Sequence, residues 1–148
     1  MYRNILIATD GSALAQKALT HGLALAEKLG ASVTVVTATE MWPLALDLAP
    51  EEIDAHQAIA EYERVAENSA GNILEVAAEE ALIVGVPCEV RHFKDCHPSD
   101  GILEAARATQ SDLIVLSTHG RRGLNRILLG STASEVLTHS TIPVLVVR

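Results

Sequence analysis

Residues 113–132 read Leu113-Ile114-Val115-Leu116-Ser117-Thr118-His119-Gly120-Arg121-Arg122-Gly123-Leu124-Asn125-Arg126-Ile127-Leu128-Leu129-Gly130-Ser131-Thr132. Four apolar residues, preceded by Asp112 and followed by Ser, Thr and Gly, have the boundaries of a buried strand that empties into a loop. Gly120, Gly123 and Gly130 allow left-handed or crowded backbone there and let a ligand come close to main-chain N–H groups. Gly130 leads into Ser131, Thr132 and a short helical pattern of Ala133, Val136 and Leu137, so the loop delivers a helix N-terminus. Free N–H groups and the positive end of a helix dipole make that point an anion site, most often for phosphate. Arg121, Arg122 and Arg126 add positive charge beside it.

The start of the chain repeats the pattern of strand, turn and helix. Residues 4–8 form a short apolar run, Asp10-Gly11-Ser12 is a turn, and Ser12 is a good N-cap for a helix that Gly30 stops. Leu14, Ala18, Gly22, Leu25 and Leu29 fall on one face of that helix. Strand, tight turn and helix make half a βαβ unit. Asp10 has two readings: an Asx turn into the helix, or a hydrogen bond to a ligand at the strand's carboxyl end.

Residues 33–38 are β-branched at nearly every position and read as a second strand buried on both faces. Residues 39–49, with Trp42, Pro43 and Asp47, have no clear period and read as a loop over the top of the sheet; Trp42 is packed down or lids a pocket. After Pro50, the acidic Glu51, Glu52 and Asp54 mark the start of a long helix. Ile59, Tyr62, Ala66, Ser69, Ile73 and Val76 lie on one face of it, with a bend expected at Gly71. Residues 86–93 read as a third strand, placed at an edge by Pro87. A turn over 94–99 follows, and Ser99 is the expected N-cap of a helix that turns Ile102, Leu103 and Ala106 to the core. Pro143 opens a last strand, 144–147. Alternating strands and helices imply a doubly wound α/β domain: one parallel five-stranded sheet, helices on both faces, right-handed crossovers.

Composition sets the outer bounds. At 148 residues the chain is one domain, 1–148, with room for a sizeable core. Hydrophobic residues make up 49% and aromatic ones 3%, so that core is built from Ala, Val, Leu and Ile. A net charge of −8 argues against a nucleic-acid or anionic-membrane binder, so any anion site is local. The first apolar run is cut short by Thr9-Asp10, unlike a signal peptide, and nothing approaches a membrane span. A cytoplasmic location is the expectation. Cys88 and Cys96 match neither a redox pair nor a metal knuckle and read as free thiols; His92 and His97 lack a third ligand at a recognisable spacing, so no metal site is expected.

The spacing of Gly120, nine residues, then Gly130-Ser131 resembles the nucleotide-binding loop G-x2-G-x9-G-[S/T] of the universal stress proteins. Ser117 stands where the family's ATP binders have the first glycine; its side chain either crowds the phosphates or offers them a hydroxyl. The opening Asn4-Ile5-Leu6-Ile7-Ala8-Thr9-Asp10-Gly11-Ser12 and the closing Pro143-Val144-Leu145-Val146-Val147-Arg148 also resemble the family's first and last strands, so the likeness covers essentially the whole chain. It implies a strand order of 3-2-1-4-5, a Rossmann-like sheet of the adenine nucleotide alpha hydrolase type. The ends of the first and fourth strands then meet at the topological switch point.

The resemblance further implies a stress-response regulator that binds ATP or AMP, with Mg2+. Its site would comprise Ala8, Thr9, Asp10, Ala38, Leu116, Ser117, His119, Gly120, Arg121, Gly130, Ser131 and Thr132, with the adenine near Ala38. It also implies a homodimer through the last strand (Val144, Val146), with a regulatory protein as a further partner. The runner-up readings are a dimeric partner protein that needs no nucleotide and a slow ATPase using His119 or Asp10 to position water. No G-x-x-x-x-G-K-[ST] and no G-x-G-x-x-G segment occurs, which removes P-loop kinases and dinucleotide oxidoreductases. A phosphoryl-receiver domain would want an acidic cluster at the first strand and an aspartate ending the third, where only Asp10 and, as a weaker match, Asp95 are present.

Overall fold

The computed structural model describes residues 1–40, 55–120 and 129–148. The elements run β1 (Asn4–Ala8), α1 (Ala13–Leu29), β2 (Ser32–Thr39), α2 (Ala55–Val84), β3 (Cys88–Lys94), α3 (Pro98–Ala108), β4 (Leu113–Ser117), α4 (Ser131–His139) and β5 (Val144–Val147). The strands form one parallel sheet in the order β3-β2-β1-β4-β5, as the resemblance implied.

Strand alternation divides the core in two. Ile5, Ile7, Val33, Val35, Leu113 and Val115 face α1 and α2, where they meet Leu19, Leu23, Leu74 and Ala77. Leu6, Ala8, Val36, Ile114 and Leu116 face α3 and α4, where they meet Ile102, Ala105, Ala133 and Val136. Both sets are apolar because a central parallel strand has no solvent face. Each fully buried Ile or Leu contributes about 1.5–3 kcal/mol, so the three β1 residues Ile5, Leu6 and Ile7, each 0% exposed, anchor both layers.

Helix α1 starts where expected: Ser12 Oγ accepts from Ala15 N at 3.2 Å, and Gly30 closes the helix in the left-handed region at φ 64°. Its core face differs from the expected one. Ala15, Ala18, Leu19, Gly22, Leu23 and Ala26 are buried, whereas Leu14 and Leu25 are half-buried and Leu29 is exposed.

Helix α2 runs unbroken through Gly71. It is 30 residues long, roughly 45 Å at 1.5 Å per residue, and so it overhangs strands of four to eight residues. Ala70, Leu74, Ala77 and Ala81 are buried against the sheet, while Val76 of the expected face is exposed. The acidic start at Glu51, Glu52 and Asp54 lies outside the described residues, as does Trp42. Helix α3 corrects a second expectation: its N-cap is His97 and Pro98 is the first helical residue, so Ser99 lies inside the first turn. Proline favours that position because it has no N–H to leave unpaired.

Candidate functional site

The carboxyl ends of β1 and β4 lie side by side, and each opens into a hydrogen-bonded turn. After β1, Thr9 N donates to Val36 O at 2.9 Å, Gly11 N to Thr9 Oγ1 at 3.2 Å and Ser12 N to Asp10 Oδ1 at 2.9 Å. The last is an Asx turn into α1. Asp10 also serves the crevice, because its other oxygen reaches the β4 turn: a Cβ built on Gly120 would stand 2.6 Å from Asp10 Oδ2.

After β4, Thr118 N donates to Val147 O at 3.0 Å, and Thr118 O accepts from Gly130 N at 2.8 Å. The chain thus returns at Gly130 to the point it left at Thr118, and α4 starts there with Gly130 as N-cap. Neither Gly120 nor Gly130 has a positive φ, and crowding explains both glycines. A Cβ on Gly130 would sit 2.9 Å from the Thr118 carbonyl oxygen. Ser117 Oγ donates to His119 O at 2.8 Å, so this hydroxyl braces the turn.

These turns surround a cavity of about 620 Å³, within the size range of small-ligand pockets. It brings together Ala8, Thr9, Asp10, Ala38, Leu116, Ser117, His119, Gly120, Gly130, Ser131 and Thr132. Arg121, the twelfth expected site residue, lies outside the described residues, as do Arg122, Gly123 and Arg126. Ala8, Ala38 and Leu116 make an apolar recess at the strand ends, while the start of α4 supplies backbone N–H groups. The recess and the amide-bearing helix start therefore face the same space.

Sequence reasoning missed the wall opposite. Tyr62, Ala66, Ser69 and Ile73 of α2 line the cavity. They belong to the one helix face that the sequence spacing marked out, and the overhanging part of α2 brings that face to the cavity. Thr39, Glu40, His97, Pro98 and Ile102 also line the cavity. His97 Nδ1 lies 2.8 Å from Ser99 Oγ and 3.3 Å from Glu135 Oε2, and Ser99 Oγ donates to that carboxylate oxygen at 2.5 Å. The His-Pro pair before a helix was the available signal for His97, whereas nothing in the sequence linked it to Glu135.

Among the described residues no three His, Cys, Asp or Glu side chains gather as a metal site. Asp10 and Glu40 are the carboxylates among the described cavity residues. That donor set fits Mg2+ carried in on phosphates, which needs only one or two protein carboxylates. Thr39 Oγ1 contacts His92 Nε2 at 2.9 Å; burial, then Lys94, holds this imidazole below the usual histidine range. Cys88 and Cys96 are free, and burial pushes both thiols up. No helix among the described residues is long and apolar enough to cross a membrane.

Residues 1–148 match the model of the universal stress protein family. A universal stress protein of Thermus aquaticus is 32% identical over 148 residues, covering all of both chains. Among solved structures, the protein MJ0577 superposes with a TM-score of 0.81 at 28% identity, covering 99% of this chain and 96% of its own. A universal stress protein in complex with cAMP superposes with a TM-score of 0.72 at 25% identity, over 99% of this chain and 97% of its own. A parallel sheet in the order 3-2-1-4-5, the paired turns at Asp10 and Gly130, and a family match over the full length agree: this chain belongs to the universal stress protein family.

Proposed function

We propose that this protein is a stress-response regulator whose crevice binds an adenine nucleotide, ATP or AMP, with Mg2+ held on the phosphates beside Asp10. The observation that carries the reading is the shared cavity, with an apolar recess at Ala8, Ala38 and Leu116 and the start of α4 at Gly130, Ser131 and Thr132. The recess takes the base and the free N–H groups take the phosphates. The relative solved with cAMP supports this chemistry. Binding would change the surface that the chain presents to a regulatory partner. The same reading includes a homodimer paired through β5 at Val144 and Val146.

The first test is mass spectrometry of small molecules released on denaturing fresh protein, followed by titration of ATP, AMP and cAMP into the emptied protein. Gly130→Val is a poor probe, because its Cβ would displace the Thr118 backbone as well as a ligand. Ser131→Asp is better. Ser131 is exposed in the first turn of α4, where an acidic side chain suits the helix dipole and leaves the fold intact. The same charge repels phosphate and should weaken ATP binding at least about tenfold, equivalent to roughly 1.4 kcal/mol, with adenosine much less affected. Unchanged ATP affinity in Ser131→Asp would sink the phosphate assignment.

A further inference from the structure

His97, the N-cap of α3, lines the crevice. Through α3 it is joined to the end of β2, where a Cβ on Gly101 would lie 3.5 Å from the Ala38 Cβ. Through Glu135 it is tied to α4, one helical turn beyond Ser131. One link leads to the apolar recess and the other to the amide-bearing helix start. In a nucleotide laid between those two ends, the sugar occupies the middle.

The hydrogen bonds fix the tautomer of the neutral ring. A hydroxyl has one hydrogen, and that of Ser99 is given to Glu135 Oε2. Both neighbours of His97 Nδ1 are therefore acceptors, and Nδ1 must carry the ring hydrogen. In the neutral imidazole, Nε2 then holds the lone pair. Among the described residues Nε2 has no hydrogen-bond partner. His97 lines the cavity with a half-exposed side chain, so this acceptor is open to a donor on a ligand, and a ribose hydroxyl is a donor that a deoxy sugar lacks.

We propose that His97 is the sugar-reading residue of this crevice: Nε2 accepts a hydrogen bond from a ribose hydroxyl, and Ser99 and Glu135 are its positioning residues. The proposal rests on the adenine-nucleotide reading above and adds to it a preference for ribonucleotides. A neutral hydrogen bond of this kind corresponds to about three- to tenfold in affinity.

The test is titration of AMP, 2′-deoxy-AMP and 3′-deoxy-AMP into the full chain at pH 8. Wild type should bind AMP about three- to tenfold more tightly than one of the two deoxy forms, and which one identifies the hydroxyl. In His97→Phe, which fills the same space without an acceptor, the ratio should fall to one. Glu135→Ala, which frees the ring to turn, should reduce it partway. Because the ratio is taken within each variant, any loss of folded protein cancels, and His97→Ala repeats the measurement if the larger ring is not accommodated. Equal affinities of wild type for all three ligands, or a ratio that persists without His97, overturns the sugar contact and leaves nucleotide binding standing. Failure of wild type to bind AMP at all overturns both.

Discussion

Strands β3 and β5 close the sheet at opposite edges, and Val90 on one is as exposed as Leu145 on the other, at 38% each. Exposure does not distinguish the edges, but chemistry does. β3 follows Pro87 and carries Glu89, Arg91, His92 and Lys94; Glu89 pairs with Arg91 at 2.9 Å, and Lys94 pairs with Glu67 of α2. β5 reads Val144-Leu145-Val146-Val147 with no charge at all. Charges and prolines are how an open edge avoids pairing with another chain. One edge of this sheet is guarded and the other is left fit for pairing, which is the physical basis for placing the proposed dimer at β5.

The largest effect should come from removing an outward N–H at the unguarded edge. Pro143 O and Val147 O accept from β4, so by alternation Val144 and Val146 direct their backbone groups away from the sheet. Val146→Pro leaves the β4 pairing intact but deletes a donor and blocks approach. It should weaken dimerisation at least about tenfold and up to a hundredfold, corresponding to one or two lost backbone hydrogen bonds. On β3, Pro87 O accepts from Val33 N, so Val90 likewise faces outward. Val90→Pro should leave the oligomeric state unchanged. Sedimentation equilibrium on both variants checks the pair, and dissociation by Val90→Pro alone would reverse the assignment of the edges.

A smaller effect is expected from stripping the guard. Replacing Glu89, Arg91 and Lys94 together with Val gives β3 the apolar character of β5. The variant should associate beyond the wild-type state with increasing concentration, in a form that Val146→Pro does not abolish. If light scattering shows no added association, the covering helix α2 rather than charge protects that edge.

The guarded edge was legible in the sequence because Pro87 and the charged residues are local signals. The apolar runs of β1 and β4 and the β-branched run of β2 were legible for the same reason, as were the Ser12 and Gly30 caps. The core face of α1 was not. That helix is rich in Ala and Leu all round, so the stripe through Leu14 and Leu25 and the stripe through Leu19 and Leu23 satisfy the same 3.6-residue period. Only contact with the sheet decides between them. The site divides similarly. Asp10, the Ser117–Gly120 turn and Gly130–Thr132 carry local turn and cap chemistry, and the strand order implied by the resemblance brings them to one crevice. The α2 wall and the His97–Ser99–Glu135 cluster depend on helix overhang and on a contact between residues 36 positions apart, which no local pattern encodes.

The smallest effect is a pH dependence that belongs to the guarded edge alone, since β5 carries no titratable side chain. His92 sits below the usual histidine range, chiefly through burial and then through Lys94, while Glu67 and Asp95 oppose the shift. Folding therefore favours the neutral ring. The unfolded chain binds more protons once the pH drops below about 6.5, the ordinary histidine value, and stability must fall with pH from there toward the lowered folded value. Above that window the contribution is fully present. His92→Gln removes the titration while keeping a side chain able to reach Thr39. Its loss of thermal midpoint between pH 7.5 and pH 5.5 should be measurably smaller than that of wild type, after both are referred to their own value at pH 7.5. Parallel curves for the two proteins would mean that the Thr39 contact holds equally with the charged ring, and that the β3 edge carries no proton-linked stability.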